Sequence, residues 1–217
     1  MLAPSGNGLD EQPAERTRDA WPALRDAQLS ALTVDGAGLI YPIDVDDDGK
    51  TVYTPPSARH GGLHPRNKTE FGRRLALALA LAEGWLPPGV LGAGPALAGA
   101  APSAGGVALT FAADGSAAGL ELKPTADCDT FNKTGPGPGA CCQNDASAAA
   151  PHGFPFELEA GGAWVLARAT VDGARVQLAP LAPGAGALSG RVRYAWQNWP
   201  LCVLANGQGL PLPPFER

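Results

Sequence analysis

Residues 163–180 read AWVLARATVDGARVQLAP, and this stretch decides the fold of the larger part of the chain. Two strand candidates, residues 163–170 and 174–178, flank an Asp172-Gly173 pair. An Asp-Gly pair between two such runs is a turn signal, because glycine accepts backbone angles that other residues avoid. The sequence therefore predicts two neighbouring strands here.

Further strand candidates with Gly-containing turns surround this pair. They are residues 107–112, 119–123, 154–159 and 191–196. This spacing fits a small antiparallel sandwich or barrel. Residues 124–153 are rich in Gly, Pro, Ala and Ser and are predicted to form a long irregular loop. We therefore assign residues 87–217 to a β-rich, sandwich-like C-terminal domain.

Residues 1–86 alternate helix, strand and helix instead. The first helix is predicted over residues 22–32, where apolar residues recur at helical spacing. Residues 39–45 then indicate a short buried strand, although Pro42 cannot donate a hydrogen bond to a neighbouring strand.

The second helix is predicted over residues 66–83, which are rich in Leu, Ala, Arg and Glu. Its C-terminal half, LALALALA at residues 75–82, is apolar on most sides, which is typical of a buried helix. The stretch ends at Gly84 and a Pro87-Pro88 pair.

Composition excludes several classes of partner. The chain has 217 residues, a net charge of −5 and 45% hydrophobic residues, so it is long enough to form a hydrophobic core. An acidic chain without a Lys/Arg run is a poor nucleic-acid binder. The apolar run at residues 75–82 is too short to span a bilayer, and residues 1–8 show no secretory signal. We expect neither a nucleic-acid nor a membrane partner.

The chain contains four cysteines: Cys128, Cys141, Cys142 and Cys202. They allow three disulfide pairings, and free thiols are the alternative. Adjacent cysteines rarely pair with each other, so Cys128 and Cys202 are plausible partners for the Cys141-Cys142 pair. There is no Cys-x-x-Cys pair, and His152 has no second histidine at ligand spacing, so no metal site is expected.

His64 is the best candidate for a catalytic group. It lies where a loop ends and the second helix begins, and the field of a helix N-terminus keeps an imidazole neutral. A neutral imidazole near pH 7 is what a general base needs, whereas a helix cap is the structural alternative. No serine lies in a G-x-S-x-G elbow, so the chain shows no nucleophile.

An acidic segment, residues 44–49, reads DVDDDG and matches the opening of a calcium-binding loop. The glutamate that would close such a loop falls at Pro55 instead. A solvated acidic turn is therefore the favoured interpretation.

Several strings together resemble the sialate O-acetylesterases, a family of SGNH-type carbohydrate esterases. Residues 61–68 (GGLHPRNK) and 72–77 (GRRLAL) resemble the catalytic-histidine block of that family. Residues 21–28 (WPALRDAQ) lie where the family has a helix. Residues 192–196 (VRYAW), followed by 198–215, resemble its closing motif. The matches occur in the right order over nearly the whole chain.

The resemblance implies an α/β architecture: residues 1–86 would be the C-terminal portion of a flavodoxin-like, three-layer SGNH hydrolase domain, followed by the β-rich domain. It also implies hydrolysis of O-acetyl esters of sialic acids, or of another acetylated sugar, through a serine acyl-enzyme and without a cofactor. His64 would take the proton of the nucleophile and return it to the leaving hydroxyl. The complete protein would travel the secretory route, to the lysosome, the vacuole or the outside.

Two departures from the family pattern matter. The family's nucleophilic serine and oxyanion donors would precede Met1, so we expect this chain to be inactive alone, with its second-helix leucines exposed. Gly61 stands where SGNH enzymes often have the aspartate that orients the histidine. Asp44, Asp46 or a backbone carbonyl is then the candidate orienter, unless the enzyme uses a Ser–His dyad.

Two other functions are compatible with the sequence. The β-rich part would serve as a non-catalytic carbohydrate-binding module if Trp164, Trp196 or Trp199 formed a stacking platform, although such tryptophans are more often buried. The chain would otherwise be a structural remnant without activity.

Overall fold

The computed structural model describes residues 20–35, 37–45, 68–125, 142, 154–182, 184–197, 200 and 202–217. Among these residues, two helices lie in the first part: α1, Ala20–Leu29, continued by a 3-10 turn at Ser30–Thr33, and α2, Lys68–Ala82. Nine strands follow: β1 Leu97–Ser103, β2 Gly106–Phe111, β3 Glu121–Pro124, β4 Phe156–Ala160, β5 Ala163–Asp172, β6 Arg175–Pro180, β7 Leu188–Tyr194, β8 Cys202–Ala205 and β9 Phe215–Glu216. The described part of the chain is thus mostly β.

Seven strands form one curled antiparallel sheet in the order β1-β2-β6-β5-β4-β7-β9. Its curl brings β1 against β7, so that Gly190 of β7 lies beside the Pro102 ring of β1. β3 and β8 pair as a separate two-stranded sheet. The predicted β-rich character is confirmed.

The hydrophobic core lies between the inward faces of these strands. Tyr194 at its centre is fully buried and packs against Phe156 and Phe215, with ring centroids 4.8 and 5.8 Å away. The Tyr194 hydroxyl accepts a hydrogen bond from the Leu204 N–H at 2.8 Å. It therefore joins β7 of the large sheet to β8 of the small one.

The hairpin predicted at residues 163–180 is present as β5 and β6, with Asp172 opposite Arg175. Gly173 in the turn has a φ of 57°, which explains the glycine at this position. β1, β8 and β9 were not predicted. β1 reads LAGAAPS without strand alternation, and β8 and β9 are only four and two residues long.

The segment at residues 39–45 differs from the prediction. It is buried from Pro42 to Val45 but forms no strand in the described residues. A turn closes there instead, in which the Val45 N–H donates to the Pro42 carbonyl. Proline lacks the N–H that a sheet requires, and this explains the correction.

α2 lies where the second helix was predicted, but its leucines are not buried. Leu75 is 58% exposed, Leu79 54% and Leu81 50%, and Trp85 after the helix is 69% exposed. The expectation of exposed leucines agrees with the structure, and the expectation of a buried helix does not. Neither helix among the described residues is long and apolar enough to cross a bilayer.

Candidate functional site

The predicted site residues divide between described and undescribed parts of the chain. Asp44, Cys142, Cys202, Trp164 and Trp196 are described. The others lie outside the described residues: His64, Asp46, Cys128, Cys141 and Trp199. The geometry below therefore concerns the surroundings of Asp44, the tryptophans and one disulfide.

Asp44 forms a buried ion pair with Arg74 of α2. The Arg74 guanidinium donates from Nη1 to Oδ1 at 2.6 Å and from Nη2 to Oδ2 at 2.9 Å. The Asp44 side chain is 4% exposed and that of Arg74 is 5% exposed. A two-pronged contact of this kind is the strongest geometry available to an arginine and a carboxylate.

A second cation approaches the same carboxylate from the small sheet. The Lys123 Nζ on β3 lies 3.5 Å from Asp44 Oδ2 and donates to the Gly209 carbonyl at 3.3 Å. Asp44 is therefore the point where the loop before residue 46, helix α2 and strand β3 meet. Its carboxylate balances positive charge from both elements.

Glu70 extends this network along α2. It accepts hydrogen bonds from Arg73 Nε and Nη2, both at 2.7 Å, and from Arg74 Nε at 2.8 Å. The bonds from Arg73 and the charges of both arginines lower the pKa of Glu70 to about 2, although partial burial acts in the opposite direction. Burial also acts to lower the pKa of Arg74, but its bonds to Asp44 and Glu70 outweigh this and raise it.

This network bears on the two roles considered for Asp44. Each of the two carboxylate oxygens of Asp44 accepts a hydrogen bond from Arg74. A further donor or a cation would therefore have to share an oxygen with Arg74. The described residues contain no group of three or more His, Cys, Asp or Glu side chains that would hold a metal ion. The orienting role of Asp44 stays a prediction, because His64 is not described.

Trp164 of β5 and Trp196, which follows β7, both lie against arginine side chains. The Arg193 guanidinium lies 4.6 Å from the Trp164 ring centroid and 5.9 Å from that of Trp196. Arg191 lies 5.2 Å from the Trp164 ring. Arg193 also forms a buried two-pronged ion pair with Glu157, at 2.9 and 3.1 Å.

These contacts argue against the stacking-platform role for Trp164 and Trp196, the two described candidates. Trp196 is buried, and Trp164 is half-buried with guanidinium groups of Arg191 and Arg193 against it. A platform needs an open aromatic face for the sugar ring. The cluster formed by Trp164, Trp196, Arg193 and Glu157 is a packed structural feature instead.

Cys142 and Cys202 form a disulfide, with Cα atoms 5.2 Å apart and a sequence separation of 60. Cys202 is fully buried at the start of β8, opposite Pro124 of β3. The bond therefore attaches residue 142 to the small sheet.

Sequence reasoning missed Arg74, Lys123 and the Arg193–Glu157 pair. A signal for Arg74 was present, because Glu70 and Arg74 stand four residues apart in a predicted helix, the spacing at which opposite charges pair. The four described serines give no further nucleophile signal: Ser30, Ser103, Ser116 and Ser189 hydrogen-bond to backbone groups or to an amide side chain.

A search of solved structures finds a likeness over the whole chain. A carbohydrate acetylesterase from Xanthomonas citri matches with a TM-score of 0.64 and 23% sequence identity. The match covers 100% of this chain and 39% of that structure, so the chain spans well under half of its length. At this identity the likeness concerns the fold. No protein-family model and no curated protein matches the chain.

Proposed function

We propose that this chain is the histidine-bearing part of a carbohydrate O-acetylesterase whose substrates are O-acetylated sialic acids. The observation that carries the proposal is the fold shared over the whole chain with a carbohydrate acetylesterase. The residues 61–68 and 72–77, which resemble the catalytic-histidine block of sialate O-acetylesterases, give independent support. The flavodoxin-like assignment of residues 1–86 and the domain boundary after residue 86 are parts of the same proposal.

In the proposed reaction His64 acts twice. It takes the proton of a serine hydroxyl as the serine oxygen attacks the acetyl carbonyl, and it gives this proton to the sugar oxygen as the ester bond breaks. It then takes a proton from the water that attacks the acyl-enzyme and returns it to the serine as acetate leaves. We propose that the serine and its oxyanion donors belong to protein outside these 217 residues.

The exposed leucines of α2 support this arrangement. Leu75 and Leu79 are more than half exposed and lie four residues apart, so they share one face of the helix. Full burial of a leucine side chain is favourable by about 1.5–3 kcal/mol relative to exposure. Two such side chains on one face therefore favour an arrangement in which further protein covers that face. We propose that this face packs against the part of the hydrolase that carries the nucleophile.

The test is acetate release by the product of the complete gene, with O-acetylated sialic acid as substrate. We expect activity in the wild type and a loss of about a thousandfold in kcat for His64→Ala. His152→Ala is the matched control and should retain its rate within about twofold, because His152 lies outside the motif block. A wild type that releases no acetate would refute the proposal.

Substrate class is tested separately with the same protein. Acetylated xylan and O-acetylated sialic acid carry the same leaving acetyl group on different sugars. We expect kcat/KM to favour the sialic acid by about tenfold or more, which one additional net hydrogen bond of about 1.4 kcal/mol supplies. A preference for the xylan would support the proposed esterase activity but refute the proposal that sialic acids are its substrates.

A further inference from the structure

The Arg74 side chain holds the loop at residues 41–45 against α2. Its Nη1 donates to the Tyr41 carbonyl at 2.9 Å in addition to Asp44 Oδ1. Its Nη2 donates to Asp44 Oδ2 and its Nε to Glu70. All three guanidinium nitrogens are therefore bonded within the protein, and a single side chain fixes two points of the loop to one point of the helix.

The Asp44–Arg74 contact joins two parts of the chain that lie on either side of His64 in the sequence. Asp44 stands twenty residues before His64, and α2 begins at Lys68, four residues after it. Arg74 lies six residues into α2, about 9 Å along the helix axis at 1.5 Å per residue. The Asp44–Arg74 ion pair thus joins the chain that leads into the His64 segment to the helix that follows it.

We propose that Arg74 is a positioning residue of the esterase, which acts on His64 by fixing both ends of the segment that carries it. This inference rests on the proposed function. It assigns Asp44 a defined part: its carboxylate is the acceptor through which Arg74 holds the loop, whether or not it also orients the imidazole.

Arginine is required here for reasons of geometry. Its planar fork matches the two oxygens of Asp44 while its Nε reaches Glu70, whereas the ammonium of a lysine is a single point charge. Lys123 does not replace it, because its Nζ lies 3.5 Å from Asp44 and is shared with the Gly209 carbonyl. Lysine at position 74 would keep the charge and lose the fork.

Arg73 offers a matched control on the same helix. It makes a two-pronged contact with Glu70, with both distances 2.7 Å, but its side chain is 45% exposed and makes no hydrogen bond to the Asp44 carboxylate. Arg73→Lys and Arg74→Lys therefore make the same chemical change next to the same glutamate. They differ in the contact with the loop.

The experiment measures both variants in the product of the complete gene. For Arg74→Lys we expect kcat for acetate release to fall by about tenfold to a hundredfold with KM nearly unchanged, because misplacing a catalytic group by about 1 Å can cost about a hundredfold in rate. Backbone amides of residues 39–45 should exchange with solvent about tenfold faster. Arg73→Lys should lower kcat and speed exchange at least about fivefold less than Arg74→Lys does, because its contact with Glu70 is exposed and does not hold the loop.

Asp44→Asn provides a second variant if Arg74→Lys folds poorly, since it keeps one acceptor oxygen for Arg74 and removes the charge. It should lower kcat in the same direction. An active wild type whose kcat survives both Arg74→Lys and Asp44→Asn would overturn the positioning role alone. An inactive wild type would overturn the proposed function, and this inference with it.

Discussion

At the level of single residues, this protein has ion pairs both in its buried regions and on its surface. Arg193 and Glu157 lie on neighbouring strands β7 and β4, directly opposite each other, and both are nearly inaccessible to solvent. Arg191, two residues earlier on the same strand, pairs with Glu159 and Glu216 but is 48% exposed. The two arginines differ in burial rather than in chemistry.

This contrast predicts unequal costs for the same substitution. Arg193→Met should destabilise the fold by about 3 kcal/mol, because it removes both hydrogen bonds of Arg193 to the buried Glu157 carboxylate and leaves that charge uncompensated by Arg193. Arg191→Met should cost at most about 1 kcal/mol, the usual value of a solvent-exposed pair. Urea unfolding of both variants at pH 7 measures the difference, and equal losses would contradict this account of the cluster.

Glu70 predicts how stability depends on pH. Its folded-state pKa is lowered from 4.5 to about 2 by Arg73 and Arg74, so its ion pairs stabilise the fold fully above about pH 4.5. This contribution is lost as the pH falls from about 4.5 towards 2. The stability difference between wild type and Glu70→Gln should therefore shrink over this interval in urea titrations, and a constant difference would be inconsistent with the lowered pKa.

The site could be predicted from sequence only in part at this scale. Asp44 was predicted as a candidate orienter of His64, beside Asp46 and a backbone carbonyl, because Gly61 stands where the family often has that aspartate. Arg74 was not, because the ion pair spans 30 residues of sequence and depends on which of two adjacent arginines faces inward. That choice is decided by helix phase together with the packing of the loop, and the loop lacks a periodic pattern.

Secondary-structure elements followed the sequence where local signals were strong. The hairpin at β5 and β6 and helix α2 were predicted from turn residues and composition. The prediction of a strand at residues 39–45 was wrong. The apolar residues there indicate that the segment is buried, but they do not indicate that its backbone pairs with another strand. β1 was not predicted because its Gly- and Ala-rich sequence has little intrinsic strand preference. It forms a strand because it pairs with β2, and its own residues do not reveal this pairing.

Two glycines give a paired prediction for these elements. A Cβ on Gly106, at the start of β2, would lie 1.7 Å from the Leu178 carbonyl oxygen of β6. Gly106→Ala should therefore destabilise the fold by about 3 kcal/mol. Gly72 in α2 has nothing within 4 Å of such a Cβ, so Gly72→Ala should stabilise by about 0.8 kcal/mol through helix propensity. Thermal unfolding of both variants tests whether the shifts have opposite signs.

At the scale of the whole molecule, a disulfide bond links residue 142 to strand β8 in the β-rich part of the chain. The Cys142–Cys202 disulfide closes a loop with a sequence separation of 60. On chain-entropy grounds it should contribute about 4 kcal/mol. The double variant Cys142→Ala/Cys202→Ala should unfold at correspondingly lower urea concentration than wild type. If the midpoint does not move, the bond has no stabilising role.

The large sheet and its curl agree with the prediction of a β-rich fold, whereas the flavodoxin-like part remains a proposal. Half of a layered α/β domain has faces that only the other half covers, and the exposed leucines of α2 are what such a division would leave. The chain also spans 39% of the carbohydrate acetylesterase whose fold it shares.

The most direct test combines mass and activity in one sample. The native protein, captured from its own cells with an antibody to this chain, is weighed intact and assayed for acetate release from O-acetylated sialic acid. We predict a mass well above the 22.1 kDa of these 217 residues, together with activity. A mass of 22.1 kDa with no acetate release would contradict the central claim that this chain works as the histidine-bearing part of an esterase.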